Sequence, residues 1–215
     1  RFYDPYSGYG GGRREYYLLG NDWEEDGAAG SSPMTYDVGF ISSDFTAARN
    51  FNLNFSTIYY SRADGNWNDR NTWSTSGHNG PAVGGFFLGP LAIDVVIIGG
   101  TSTDNHTVTI STNNENVAKA IIESGDASVS GEPTLDVGTT TGHDFEEISG
   151  GGKFRISYNG DMPNGNWDNF MYNDTAIFEY YGGSYTIPAN FSVYPNLEIT
   201  GTGDKTLPNQ DILVR

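Results

Sequence analysis

The chain has 215 residues, with 27 Asp plus Glu against 11 Lys plus Arg and a formal net charge of −16. Such an acidic balance repels phosphate backbones and anionic membrane surfaces, so neither nucleic acid nor a charged bilayer is an expected partner. It contains no cysteine, which excludes disulfides, thiolate zinc sites, iron–sulfur clusters and cysteine nucleophiles, and a chain of this length builds a core without them.

Residues 1–33 are the least periodic part. Arg1 to Gly12 is rich in Gly and Tyr, and Asn21 to Gly27 (Asn-Asp-Trp-Glu-Glu-Asp-Gly) reads as an acidic loop. The pattern predicts an extended arm, ordered where its aromatics dock. Met34 to Ile41 alternates loosely. Phe51 to Tyr60 alternates cleanly, with Phe51, Leu53 and Phe55 on one face and Asn52, Asn54 and Ser56 on the other, as in a half-buried strand.

A Gly/Asn/Ser-rich segment at 62–85 follows, and then short strand patterns in quick succession. Ile93 to Ile98 is nearly continuous in apolar character, which predicts a strand buried on both faces. The stretch 86–98 is broken by Pro90 and Asp94 and is too short to cross a bilayer as a helix. Further alternating runs lie at 107–111, 118–123, 134–137, 153–157, 176–181, 184–187, 197–200 and 212–214. Between them stand breakers such as Ser124-Gly125-Asp126 and Ser149-Gly150-Gly151-Gly152. Helical periodicity is nowhere sustained, and 114–122 is at most one or two turns.

Many short strands at this spacing predict an all-β chain, either a right-handed parallel β-helix (solenoid) or a β-sandwich. The echo between Asp64-Gly65-Asn66-Trp67-Asn68-Asp69 and Asn164-Gly165-Asn166-Trp167-Asp168-Asn169 favours the solenoid. Two parts are expected: an arm with its following strands at 1–56 and the β-helical part at 57–215.

The stretch from Ser61 to Ser74 contains a G-x-W-x-x-x-x-T-W-S element, formed by Gly65, Trp67, Thr72, Trp73 and Ser74. It resembles an element of very large surface and secreted proteins of the Bacteroidetes, where it opens a β-helical region similar to G8-type domains. Residues 182–188 and 194–208 resemble a rung of the same proteins, with the pattern Y-x-N-L-x-I-x-G-x-G-x-K-T-L. The resemblance covers roughly 57–215. It implies export through the outer membrane by the type 9 secretion system, an extracellular or cell-surface location, and a role in adhesion or gliding. A chain opening on Arg1 is expected to be processed or a fragment. One stopping within the strand pattern Asp211 to Arg215 is expected to continue beyond it.

The candidate residues have both structural and functional readings. Trp67, Trp73 and Trp167 would be sugar-stacking platforms if exposed, or indoles closing a solenoid end or corner if buried. Their placement after Gly-Asn turns favours the structural reading. His78, His106 and His143 lack metal-binding spacing. His143 with Asp144, Glu146 and Glu147 would form an acid/base group in a loop, but no nucleophile elbow accompanies them, and exposed loop histidines are the plainer expectation.

Asp64, Asn66, Asn68 and Asp69 alternate oxygen ligands as in a Ca2+ loop. They lack glycine at position six and glutamate at position twelve, where Asp69 and Thr75 stand. Only a non-standard Ca2+ site is therefore open to them; no other cofactor is indicated. Asn54, Asn105, Asn173 and Asn190 fall in N-x-Ser/Thr sequons, read as chance matches in a bacterial chain. Asp174-Thr175-Ala176 matches a Bacteroidetes O-glycosylation pattern, which would modify Thr175. Lys and Arg look too scattered to serve an anionic sugar.

The expected function is a non-catalytic structural or adhesive part of a large bacterial surface protein, docking a protein partner through its arm. The alternative is a carbohydrate-binding or polysaccharide-degrading β-helix protein.

Overall fold

The structure, a computed structural model, describes residues 2–3, 15–19 and 22–25 by their backbone pairing and residues 56–215 in full. The chain divides into two compact units, Arg1–Asn52 and Leu53–Arg215. The sequence expectations at 34–41 and 51–55, Asp26 and the sequon at Asn54 lie outside the described residues.

In the first unit, β1 (Phe2–Tyr3), β2 (Glu15–Leu19) and β3 (Asp22–Glu25) form an antiparallel sheet in that order. The expected acidic loop is therefore mostly strand. Leu19 pairs with Asp22 across a two-residue connection, Gly20-Asn21. Gly-Asn between two strands is a hairpin signal in its own right.

The second unit is almost entirely β. Its strands are β4 (Ile58–Ser61), β5 (Gly65–Asn66), β6 (Trp73–Ser74), β7 (Val95–Ile98), β8 (Thr107–Thr109), β9 (Asn116–Val117) and β10 (Lys119–Ile122). Then come β11 (Thr134–Asp136), β12 (Asp144–Gly150), β13 (Lys153–Ser157), β14 (Asn164–Asn166) and β15 (Ile177–Tyr181). The last are β16 (Tyr185–Thr186), β17 (Val193–Tyr194), β18 (Asn196–Ile199), β19 (Lys205–Thr206) and β20 (Leu213–Val214). A 3-10 turn at Arg70–Thr72 and a four-residue helix α1 (Asp168–Met171) are the helical pieces of the described residues. No described helix is long and apolar enough to cross a membrane.

Two sheets dominate. One runs β14-β12-β10-β7-β4-β6, with β9 also on β12; the other runs β18-β15-β13-β11-β8-β5. Every pair is parallel except β4 with β6. Through most of the chain the strands fall alternately in the two sheets. Two further parallel pairs are β16 with β19 and β17 with β20. This all-β, parallel-sheet arrangement is compatible with a β-helix or a sandwich.

Register explains the core. In one sheet Val96 and Ala120 pair, and Ala120 pairs with Ile148. In the other, Val108, Leu135, Phe154, Phe178 and Leu197 succeed one another strand by strand. All of these but Leu197 are buried. Because side chains alternate across a strand, one apolar row per sheet points inward and its neighbour outward.

That alternation corrects the expectation for 93–98. Val96 and Ile98 are fully buried, whereas Val95 and Ile97 are half-buried. Asp94, which interrupts the apolar run, is buried and ties down the start of β7. Its carboxylate accepts the Thr57 and Leu91 amides, each at 2.7 Å. Likewise 114–122 is not helical but carries β9 and β10.

The Gly-Asn-Trp echo is not a structural period. Its first copy lies on β5, an edge of the six-stranded sheet, and its second on β14, an edge of the other. What the copies share is position at a sheet margin, with the following indole turned into the core.

Candidate functional site

The most highly charged buried feature lies on the outer face of the six-stranded sheet. Asp136, Arg155, Glu179 and Glu198 are cross-strand neighbours in one row. Arg155 donates from Nε to Glu179 at 2.7 Å and from a terminal nitrogen to Asp136 at 3.2 Å. Lys153, one row over, reaches Glu198 at 2.8 Å and Glu179 at 3.7 Å. The Tyr181 hydroxyl and the Gly138 amide donate to Asp136, and the Thr200 hydroxyl donates to Glu179.

The Arg155 guanidinium also lies 4.3 Å over the Tyr181 ring. Burial first, then the adjacent Asp136 charge, pushes the Tyr181 hydroxyl up to about 12, so it remains a neutral donor at physiological pH. Asp136 and Glu179 are buried, and each carboxylate oxygen has a donor. A satisfied network of this kind resists water and holds its strands in register. Arg155 bridges the two carboxylates and offsets one of their two charges. The scattered Lys and Arg of the sequence thus include two cations brought beside three acids. Spacings of 19 to 24 residues gave no hint of this, because the pairing depends on strand register.

The tryptophans are core. Trp67 and Trp73 have no exposed surface and Trp167 has 6%. Trp67 stands edge-on to Trp73 and stacks on Phe145, with centroids 5.4 and 5.7 Å apart. Trp167 packs on Phe154, Phe170, Phe178 and Phe191. The G-x-W-x-x-x-x-T-W-S element locks onto itself. The Thr72 hydroxyl donates to the Asn66 carbonyl at 2.8 Å and the Trp73 indole N–H to the Trp67 carbonyl at 2.7 Å. A side chain at Gly65 would strike the Thr72 hydroxyl, which accounts for the glycine.

All three histidines depart from the expected exposed loops. His106 and His143 are buried, and His78 is half-buried. His143 accepts the Glu115 amide at Nδ1, at 3.2 Å, so its proton sits on Nε2, which donates to the Thr140 hydroxyl at 2.8 Å. Burial keeps its pKa below the ordinary histidine value. Asp144 and Glu146 leave β12 on the opposite, exposed face, and Glu147 pairs with Lys119 at 2.9 Å. The acid/base group at 143–147 is therefore not assembled: those residues form a strand, and alternation separates the imidazole from the acids.

His78 and His106 lie with ring centroids 5.9 Å apart, at the corner where β4, β7, β8 and β10 meet the connection after β6. This pairing is also invisible to sequence spacing.

The Ca2+ candidates are engaged one by one. Asp64 accepts the Thr107 amide, Asn66 the Asn68 amide and Asp69 the Asn71 amide, while the Asn68 amide group donates to Thr112 and Glu115. Among the described residues no group of three or more His, Cys, Asp or Glu is placed to hold a metal ion. Thr175 is exposed; its hydroxyl donates to Asn173 at 2.9 Å and lies 3.1 Å from the Ser124 hydroxyl.

No protein-family model matches the chain, and neither a curated protein nor a solved structure matches it.

Proposed function

We propose that residues 57–215 are a right-handed parallel β-helix serving as a non-catalytic structural or adhesive part of a bacterial surface protein. The observation that carries this reading is the run of in-register parallel strands with a continuous inward row, Val108, Leu135, Phe154, Phe178 and Leu197. In a β-helix each rung buries that row only against its neighbours. Burial of the three indoles supports the structural role, since a ring with no exposed face has none to offer a sugar. The carboxylates Asp136 and Glu179, tied up by Arg155, point the same way.

Export through the type 9 system, adhesion or gliding, and a protein partner met through the arm rest on the resemblance at 61–74 and 182–208. O-glycosylation of Thr175 rests on its sequence context, and its exposure supports it. An experimental structure tests the coil: sheets that belong to a sandwich overturn it. Antibody labelling of intact producing cells, with attachment measured after deletion of the chain, tests the function. Absence from the surface, or unchanged attachment and gliding, would count against it.

The second reading is a carbohydrate-binding or carbohydrate-cleaving face, favoured by Arg155 and Lys153 beside Asp136, Glu179 and Glu198. A glycan array and a polysaccharide turnover screen separate the two. Binding abolished by Arg155→Met in a folded variant would establish the carbohydrate reading, and turnover would make the chain an enzyme.

A further inference from the structure

The corner occupied by Ser61, His78 and His106 has an arrangement that neither packing nor strand pairing requires. Two imidazoles direct Nδ1 at a single carbonyl, that of Ser61, at 2.5 Å from His78 and 2.9 Å from His106. The Ser61 hydroxyl accepts the Gly99 amide at 3.0 Å, so the last residue of β4 is tied to the residue after β7 as well. His78 belongs to the long connection between β6 and β7. It meets the Tyr60 ring edge-on at 5.4 Å. Its Nε2 lies 3.1 Å from a Glu123 carboxylate oxygen, just beyond β10, an ion-pair distance. Elsewhere the connection is held by Arg62, which donates to the Gly80 carbonyl at 3.0 Å, and by Phe87 against Tyr59 at 5.5 Å.

We propose that this corner is a proton-gated latch, in which His78 and His106, joined through the Ser61 carbonyl, hold the 75–94 connection closed only while one imidazole is charged and the other neutral. For His78, burial opposes the charged form. The Glu123 carboxylate and the Ser61 carbonyl outweigh burial and raise its pKa above the ordinary histidine value. For His106, burial dominates and lowers the pKa; His78 adds to the lowering, while Ser61, Asp104 and Asp64 oppose it. His78 thus contributes stability that is full below the unfolded pKa and is lost as pH rises through its folded value. His106 contributes stability that is present above the unfolded pKa and is lost as pH falls through its folded value. Alkaline pH removes the charge facing Glu123. Acid pH puts a second imidazolium into a buried corner beside the first. Either change loosens the connection that covers Tyr59 and Trp73.

The test uses the intact chain. NMR titration of the histidine ring protons should give His78 and His106 titrating on opposite sides of about 6.5, the free-histidine value. Amide exchange at Gly99 and His106, corrected for intrinsic rates, should be slowest between the two titrations. It should accelerate by up to about tenfold for each pH unit from about 6.5 toward either titration and level off beyond it. His78→Gln should remove only the alkaline loss and His106→Gln only the acid loss. Coincident titrations, or protection that does not vary with pH, overturn the latch. If either variant fails to fold, the titration and exchange of the unaltered chain decide the matter.

Discussion

From β4 to β15 the offset between paired strands wanders. Gly65 pairs with Val108, Val108 with Leu135, Leu135 with Phe154 and Phe154 with Phe178, so one step spans between 19 and 43 residues. From β15 onward it steadies: Ile177 pairs with Asn196, Tyr185 with Lys205 and Val193 with Leu213, at offsets of 19 or 20. The inward row runs through both regions. Strand register fixes the row, and the connections absorb whatever length lies between. In the irregular region the extra length carries Trp73, Phe87 and His78. In the regular region the turns stack on one another and leave no such freedom. Lys205 closes the last of them, its ammonium donating to the carbonyls of Gly182, Thr202 and Gly203 at 3.1 to 3.2 Å.

The largest effects should be shared by both regions, because both depend on the core. Trp73→Ala and Phe178→Ala each remove a fully buried ring and should cost about 3–5 kcal/mol in denaturant unfolding. A loss below about 1 kcal/mol for either would mean that its region does not contribute to the cooperative core. Next, a glycine pair separates the regions. Gly201 has φ +83°, and a Cβ there would lie 2.6 Å from the Gly182 amide nitrogen; Gly84 has nothing within 4 Å. Gly201→Ala should cost about 2–3 kcal/mol, and Gly84→Ala should stay within about 0.5 kcal/mol. Equal costs would erase the distinction between stacked and free turns.

Glu179→Ala leaves Arg155 with one carboxylate fewer and should cost about 2 kcal/mol, less than a fully buried pair because Arg155 and Lys153 keep some solvent. It should act on both regions, since β15 belongs to each. Smaller again is the loss for Lys205→Met, at about 1 kcal/mol by thermal unfolding, because water replaces the ammonium at partly open carbonyls. Its effect on amide exchange should be confined to the turns at 182–184 and 201–205.

The same comparison explains what the sequence disclosed. Lys153–Ser157 is a strand with the bounds its alternation predicts, and 118–123, 134–137 and 176–181 each contain one. Apolar positions at every second residue are a local signal. The longest described strand, β12, carries no plain alternation in the sequence, because Asp144, Glu146 and Glu147 sit on its solvent side and Ser149-Gly150 resembles a break. Gly150 is a strand residue at φ +106°, where a Cβ would strike the Ile122 carbonyl. β5 and β14 were hidden by Gly and Asn, which have low strand preference and suffice here only at short sheet edges. The charged row and the histidine corner were illegible for another reason. Their members are local to nothing in the chain, and they meet only once register is set.

The 75–94 connection has a practical corollary. Its tip, Gly84-Gly85-Phe86, stands clear of the strands: a Cβ at either glycine would meet nothing within 4 Å, and Phe86 is 89% exposed. Each doubling of a flexible loop costs only about 0.6 kcal/mol in closure entropy. A foreign epitope spliced between Gly84 and Gly85 would therefore be displayed on an undisturbed scaffold. The insertion also gives natural variants of this chain a place to acquire new surface chemistry without repacking a single inward side chain.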